Sequence, residues 1–271
     1  MITYDWQQRL KKDTLDFLEN KIPKEDYDFE IIYNAYPERV NGEIPQPVIT
    51  FVAKEMRRVI QNKPDDFIDF LLFIQQNKGN NGKKIFNYVM SKVALKHPGE
   101  YDYIIKKALK NTHDKAEIKK IFDTIILPLV KKYPDTYVDD IISTIREHPQ
   151  DDIIEYAFLT LCKYIKANKS KASLIEKKVE TFWNSENETI RNGASQILKC
   201  IYKIDKKIYR GIYNSFQSTR KPEFIEILAD AISENTEMIR DIVSKWEMSG
   251  NIRIKKAANT AEKILKKLKR T

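Results

Sequence analysis

Apolar residues along this chain recur four apart, in blocks that are themselves repeated. Ile85/Val89/Val93, Ile118/Phe122/Ile126, Ile153/Ala157/Leu161, Ile190/Ala194/Leu198, Phe224/Leu228/Ile232 and Ile254/Ala258 each fall on one helical face. The first members of successive blocks are separated by 33, 35, 37, 34 and 30 residues. Pro64, Pro98 and Pro134 form a second landmark, 34 and 36 residues apart, each followed by polar residues, an aromatic and paired aliphatics. A proline fits the first turn of a helix because its fixed φ is helical and its missing N–H is one that turn does not use. Each period is therefore predicted to hold an A helix, opened at Pro64, Pro98 or Pro134 in the first three, and a B helix carrying the four-residue stripe. Later A helices run through Leu174 to Trp183, Ile208 to Phe216 and Ile239 to Trp246. A period of roughly 30 to 40 residues indicates a stacked array in which each helix pair buries its stripe against the next.

The first 46 residues do not follow this period and are read as an N-terminal helical cap. Tyr4 to Leu18 is predicted as one amphipathic helix and Asp26 to Tyr33 as a second. The proline-rich stretch NAYPERVNGEIPQP then leads into a helix over Val48 to Ile60. Residues 47–271 form one continuous repeat array. Only 7 glycines in 271 residues agree with an all-α chain, since glycine weakens helices and is consumed by strands and tight turns.

The B-helix segment ENETIRNGASQILKCI, from Glu186, places an acid near the turn, then Ile190-Arg191, Ala194 and Leu198. It resembles the second helix of a HEAT repeat. NIRIKKAANTAEKIL, from Asn251, repeats the pattern with Ile254-Lys255 and Ala258. The resemblance covers residues 47 to 268 and implies a right-handed α–α superhelix, an armadillo-like α-solenoid of about six to seven helix pairs. HEAT-like arrays serve many functions, and the leading expectation here is a scaffold without catalysis or cofactor that binds a protein or a nucleic acid on the concave face formed by its B helices. Val89 and Phe122 stand where the family carries a small residue.

The net charge of +9 is unevenly distributed. Residues 1–45 carry 6 basic and 10 acidic side chains, residues 46–249 carry 34 and 28, and residues 250–271 carry 8 and 1. Lys83, Lys84, Lys119, Lys120, Arg191, Lys255 and Lys256 recur at the beginnings of B helices and are the candidate nucleic-acid-binding residues. The alternative for the whole set is an ordinary solvated Lys/Glu-rich surface. Arg191 also stands where HEAT-like repeats place an arginine that pairs with an acid of a neighbouring turn.

Catalytic patterns do not emerge. His97 and His148 precede prolines in inter-helix turns, and neither they nor His113 has a second His or Cys at metal-ligand spacing, so no metal site is predicted. No GxxxxGK, GxGxxG, GxSxG or HExxH occurs. Cys162 and Cys200 recur about one repeat apart, which favours packing over nucleophilic roles. Without CxxC spacing they read as reduced thiols of a cytoplasmic protein. Neither a secretion signal nor a stretch of about 18 apolar residues is found, so no membrane association is expected.

Trp183 and Trp246 occupy equivalent A-helix positions and read as core, with stacking on a nucleobase as the alternative. NGEIPQPVITFVAKEM, from Asn41, resembles the N-terminal segment of bacterial HEAT-like alkylpurine DNA glycosylases, whose groove holds a cationic alkylated nucleotide with aromatic residues and an aspartate. Trp6, Trp183 and Trp246 are followed by Gln, Asn and Glu, so the tryptophan–aspartate motif of that class is missing and no catalytic residue is carried over. The alternative function is accordingly a DNA-binding, alkylation-repair-like protein.

Overall fold

The computed structural model describes residues 5–27 and 44–269. Every regular element among them is helical. The helix expected over Asp26 to Tyr33 and most of the proline-rich connection lie outside the described residues, as do the side chains of Asp65 and Asp66. Lys24–Asp26 is a short 3-10 turn. The chain divides into two compact units, residues 1–132 and 133–271.

In the first unit, α1 (Trp6–Leu18) packs on α2 (Gln46–Asn62). Trp6 sets its ring edge-on to Phe51 at 5.1 Å. The next pair is α3 (Pro64–Asn77) and α4 (Gly79–Lys96), with Pro64 in the first turn as expected. The third begins with α5 (Asp102–Lys110). It continues through α6 (Lys115–Ile121), a π turn (Phe122–Ile126) and α7 (Leu127–Lys132). The B helices follow one another directly: α2 packs on α4, and α4 packs on the π turn.

Two expectations need correction here. Pro98 does not open an A helix; α5 starts four residues later at Asp102. Gly99, at φ +88°, takes the chain out of the helical region immediately after the proline. In the third B helix, Ile126 is only half-buried, and Ile125 and Leu129 occupy the buried seam instead. Pro128 explains this: its ring would collide with the carbonyl of Thr124 in a regular helix, and the wider π turn just before it relieves the collision while rotating the apolar face.

The described residues of the second unit form four pairs. They are α8 (Pro134–Glu147) with α9 (Asp151–Ala167), and α10 (Ala172–Glu180) with α11 (Glu188–Ile204). After these come α12 (Lys206–Phe216) with α13 (Pro222–Ala231), and α14 (Glu237–Glu247) with α15 (Ile252–Leu268). The B helices α9, α11, α13 and α15 each pack on the next. Ile153, Ala157, Leu161, Ala194, Leu198, Leu228 and Ala258 are all at most 1% exposed, so most of the stripe read from the sequence is the seam; Phe224 is only half-buried and packs on Trp183 and Phe216 instead. α10 ends at Glu180, three residues short of Trp183, which sits in the following turn. Trp183 is nonetheless fully buried, between Phe216 at 4.7 Å and Phe224 at 5.5 Å, and Trp246 is 3% exposed. Both tryptophans are core residues.

Polar groups pin the seams at nearly every step. Cys200 Sγ donates to the Cys162 carbonyl at 3.6 Å between α9 and α11. The Ser195 hydroxyl lies 3.2 Å from the Ile227 carbonyl between α11 and α13. In the first unit, buried Asn87 donates to buried Glu117 at 2.7 Å, joining α4 to α6. Such bonds add little net stability when made, but each is costly to leave unmade in a dry seam, so they fix which residue faces which. Contact with the Cys200 thiol and burial raise the Cys162 pKa, leaving a protonated, packed thiol.

Candidate functional site

Two B-helix first turns of the second unit, those of α11 and α15, are phased by asparagine caps. Asn187 Oδ1 accepts the Ile190 N–H at the start of α11, and Asn251 Oδ1 accepts the Arg253 and Ile254 N–H groups at the start of α15. This phasing turns Arg191 and Arg253 toward Glu226, which lies on α13 between them. Arg191 Nε lies 2.9 Å from Glu226 Oε2. Arg253 grips both oxygens of the same carboxylate, Nε to Oε1 at 3.0 Å and Nη2 to Oε2 at 3.1 Å. Its Nη1 donates to Glu223 at 2.7 Å and lies 3.8 Å from Glu186. Arg191 Nη1 also donates to the carbonyls of Ser185 and Glu186, at 3.1 and 2.7 Å. One carboxylate is thus clamped by two guanidinium groups across three successive B helices. The hydrogen bond to Glu226, with the charges of Glu223 and Glu186 behind it, raises the pKa of Arg253 further above its ordinary range.

Beside this ladder runs an open groove of about 660 Å³. Its charged walls are evenly matched: Arg191, Arg253 and Lys256 against Glu188, Glu226 and Asp230. Small residues on successive B helices, Ser195, Ala229 and Ala257, form its floor. Lys199 closes on Asp230 at 2.8 Å, a further bridge between α11 and α13. Among the described residues no aromatic side chain lines the groove. The Ser195 hydroxyl is committed to the carbonyls of Arg191 and Ile227 and faces no histidine.

The candidate nucleic-acid residues divide between the units. Lys83, Lys84, Lys119 and Lys120 belong to the first unit, and Arg191, Lys255 and Lys256 to the second. Lys83 is engaged with Asp114 at 3.0 Å, and its hydrogen bond is the main reason the Asp114 pKa falls. Lys119 is exposed and Lys120 half-buried. Lys84 is half-buried and has interactions of its own. Of the second set, Arg191 and Lys256 share the groove, while Lys255 is exposed on α15 outside its walls. Arg253 and Glu226 are the residues that the sequence reading missed. The available signal was PEFIE, whose Glu223 and Glu226 lie three apart on one helical face and call for a cation about one period away.

Among the described residues no group of three or more His, Cys, Asp and Glu side chains is placed to hold a metal ion. No described helix is long and apolar enough to cross a membrane. His97 lies 3.4 Å from Glu100, and His148 Nδ1 accepts the Gln150 N–H at 3.2 Å. Both histidines serve the turns in which they stand. The chain matches no protein-family model, no curated protein and no solved structure.

Proposed function

We propose that the chain is a HEAT-like scaffold, a right-handed superhelix without catalytic activity, that binds a protein partner along the face formed by its B helices. The observation that carries this reading is the matched charge of the groove on α11, α13 and α15, where Glu226 and Glu223 together neutralise Arg191 and Arg253. A phosphate backbone needs cations free to replace its counterions. Here the arginines are already spent, and three carboxylates would face the incoming phosphates. A protein surface of alternating charge and small side chains fits such walls better. Within each unit the direct packing of successive B helices supports the solenoid part of the reading. An alkylation-repair role would require an aromatic pocket floored by a carboxylate, and the groove walls contain no aromatic ring.

Proximity capture in cells, comparing the full chain with an Ala229→Arg/Thr260→Trp variant, tests the partner. Of the two, Thr260→Trp, at an exposed position of the groove wall, also serves alone as the variant that leaves the ladder untouched, because Ala229 is buried three residues from Glu226. A defined protein recovered with the parent and lost with the variant is the expected result. Identical recovery by the two would refute binding at this face.

A further inference from the structure

A second cleft in the same unit lies where the turn joining α12 to α13 meets the turn joining α14 to α15. It encloses about 720 Å³, within the usual range for small-molecule sites. Its composition is unlike that of the groove. Among the described residues Arg220 and Lys245 line it, and no carboxylate does. Neither cation makes a hydrogen bond or ion pair with any described residue, whereas Arg191, Arg210 and Arg253 are all paired with carboxylates. Glu247, two residues from Lys245, lines a different cleft and hydrogen-bonds to Glu262.

Two hydroxyls stand beside these cations in a state suited to donation. Thr219 Oγ1 accepts the Lys221 N–H at 3.4 Å, and Ser249 Oγ accepts the Asn251 N–H at 3.2 Å. Each oxygen already uses a lone pair on the backbone, which leaves its proton for a ligand. Below them the floor is apolar: Ile225, Trp246 and Ile254 are 1%, 3% and 4% exposed. Two unpaired cations in an acid-free cleft repel each other until an anion enters, and the planar guanidinium suits a phosphate in two-point contact.

We infer that this cleft binds a phosphomonoester carried on an apolar or aromatic group, with Arg220 and Lys245 on the phosphate, Thr219 and Ser249 donating to its oxygens, and the carrier over Ile225, Trp246 and Ile254. The cleft shares no lining residue with the B-helix groove, so loss of either site leaves the other intact.

Isothermal titration of the full chain with phenyl phosphate tests the assignment, alongside inorganic phosphate and an Arg220→Ala/Lys245→Ala variant. Both side chains are exposed and unpaired, so the variant keeps its fold, which its circular dichroism and Tm verify. Phenyl phosphate binding with a dissociation constant near or below about 1 mM, weakened at least about tenfold in the variant, supports the site. Inorganic phosphate binding weaker than phenyl phosphate supports the apolar floor. Absence of binding, undiminished affinity in the variant, or equal affinity for the two phosphates would overturn the inference. A phosphotyrosine peptide distinguishes the source of the group: tighter binding than phenyl phosphate assigns it to a modified partner, and no gain assigns it to a free metabolite.

Discussion

Stacking of consecutive B helices depends on how closely α9 and α11 approach, and Gly193 shows how close that is. A Cβ built on Gly193 would stand 2.0 Å from Phe158 Cδ2, 2.4 Å from Cγ and 2.5 Å from Cε2. Carbon atoms pack at about 3.5–4.0 Å, so Gly193→Ala demands a displacement of more than about 1 Å at this seam. Phe158 is fully buried and stands against Phe182 at 6.1 Å between ring centres, which restricts its retreat. Alanine gains about 1 kcal/mol of helix propensity over glycine, while overpacking costs about 1–3 kcal/mol. With so large an overlap the cost falls at the upper end, and the net loss is about 1–2 kcal/mol. Gly211, exposed in α12 with nothing within 4 Å of where a Cβ would stand, supplies the control. Gly211→Ala should stabilise by about 0.5–1 kcal/mol. Urea unfolding followed by circular dichroism measures both. A Gly193→Ala protein as stable as the parent would refute the close approach, and Phe158→Leu should relieve the clash in a double-mutant cycle.

Replacing Glu226 with alanine strands two arginines at the α11–α13–α15 seam, and equilibrium unfolding should show a loss of about 1–2 kcal/mol, less at high salt. Burial lowers the His148 pKa, so the unfolded chain binds the proton more readily and stability falls as pH drops from neutrality through the histidine range. Protonation would also remove the acceptor of the Gln150 N–H, and His148→Gln should flatten the pH dependence of Tm there. Desolvation pushes the Tyr209 phenol up to about 12 and raises Tyr213 well above its ordinary value. Stability from both is full below the ordinary tyrosine range and lost as pH climbs above it; an ultraviolet titration should show Tyr209→Phe/Tyr213→Phe with fewer late-titrating phenols, buried Tyr27, also raised by desolvation, remaining among them.

The B helices were legible because their seam obeys a local rule: Ile153, Ala157 and Leu161 lie four apart, and all three are fully buried. Departures arise where one residue overrides that period. Gly99 delays α5 after Pro98, and Pro128 forces the π turn that moves the seam from Ile126 to Ile125. The charge pattern was less legible for a different reason. Composition records an excess of lysine and arginine, but the neutralising acids lie roughly a full repeat away: Lys83 with Asp114, Lys199 with Asp230, and Arg253 with Glu223. Bases and acids one period apart can meet across a B-helix seam, a relation that no local window displays. Alignment of Ile254 with Ile190 set Lys255 opposite Arg191, yet Arg253 is the residue that reaches Glu226. The cleft of Arg220 and Lys245 carries no sequence motif at all, because two separate turns bring its cations together.

Fluorescence anisotropy with short double-stranded DNA at two salt concentrations tests the protein-binding reading most directly. Because the groove's arginines are neutralised, the chain should bind no more tightly than the roughly 10⁻⁴ to 10⁻⁶ M typical of non-specific contacts at physiological salt. Tight binding that falls by about 10³ to 10⁵ between roughly 50 and 200 mM salt would mean 6–10 phosphate contacts and would contradict it.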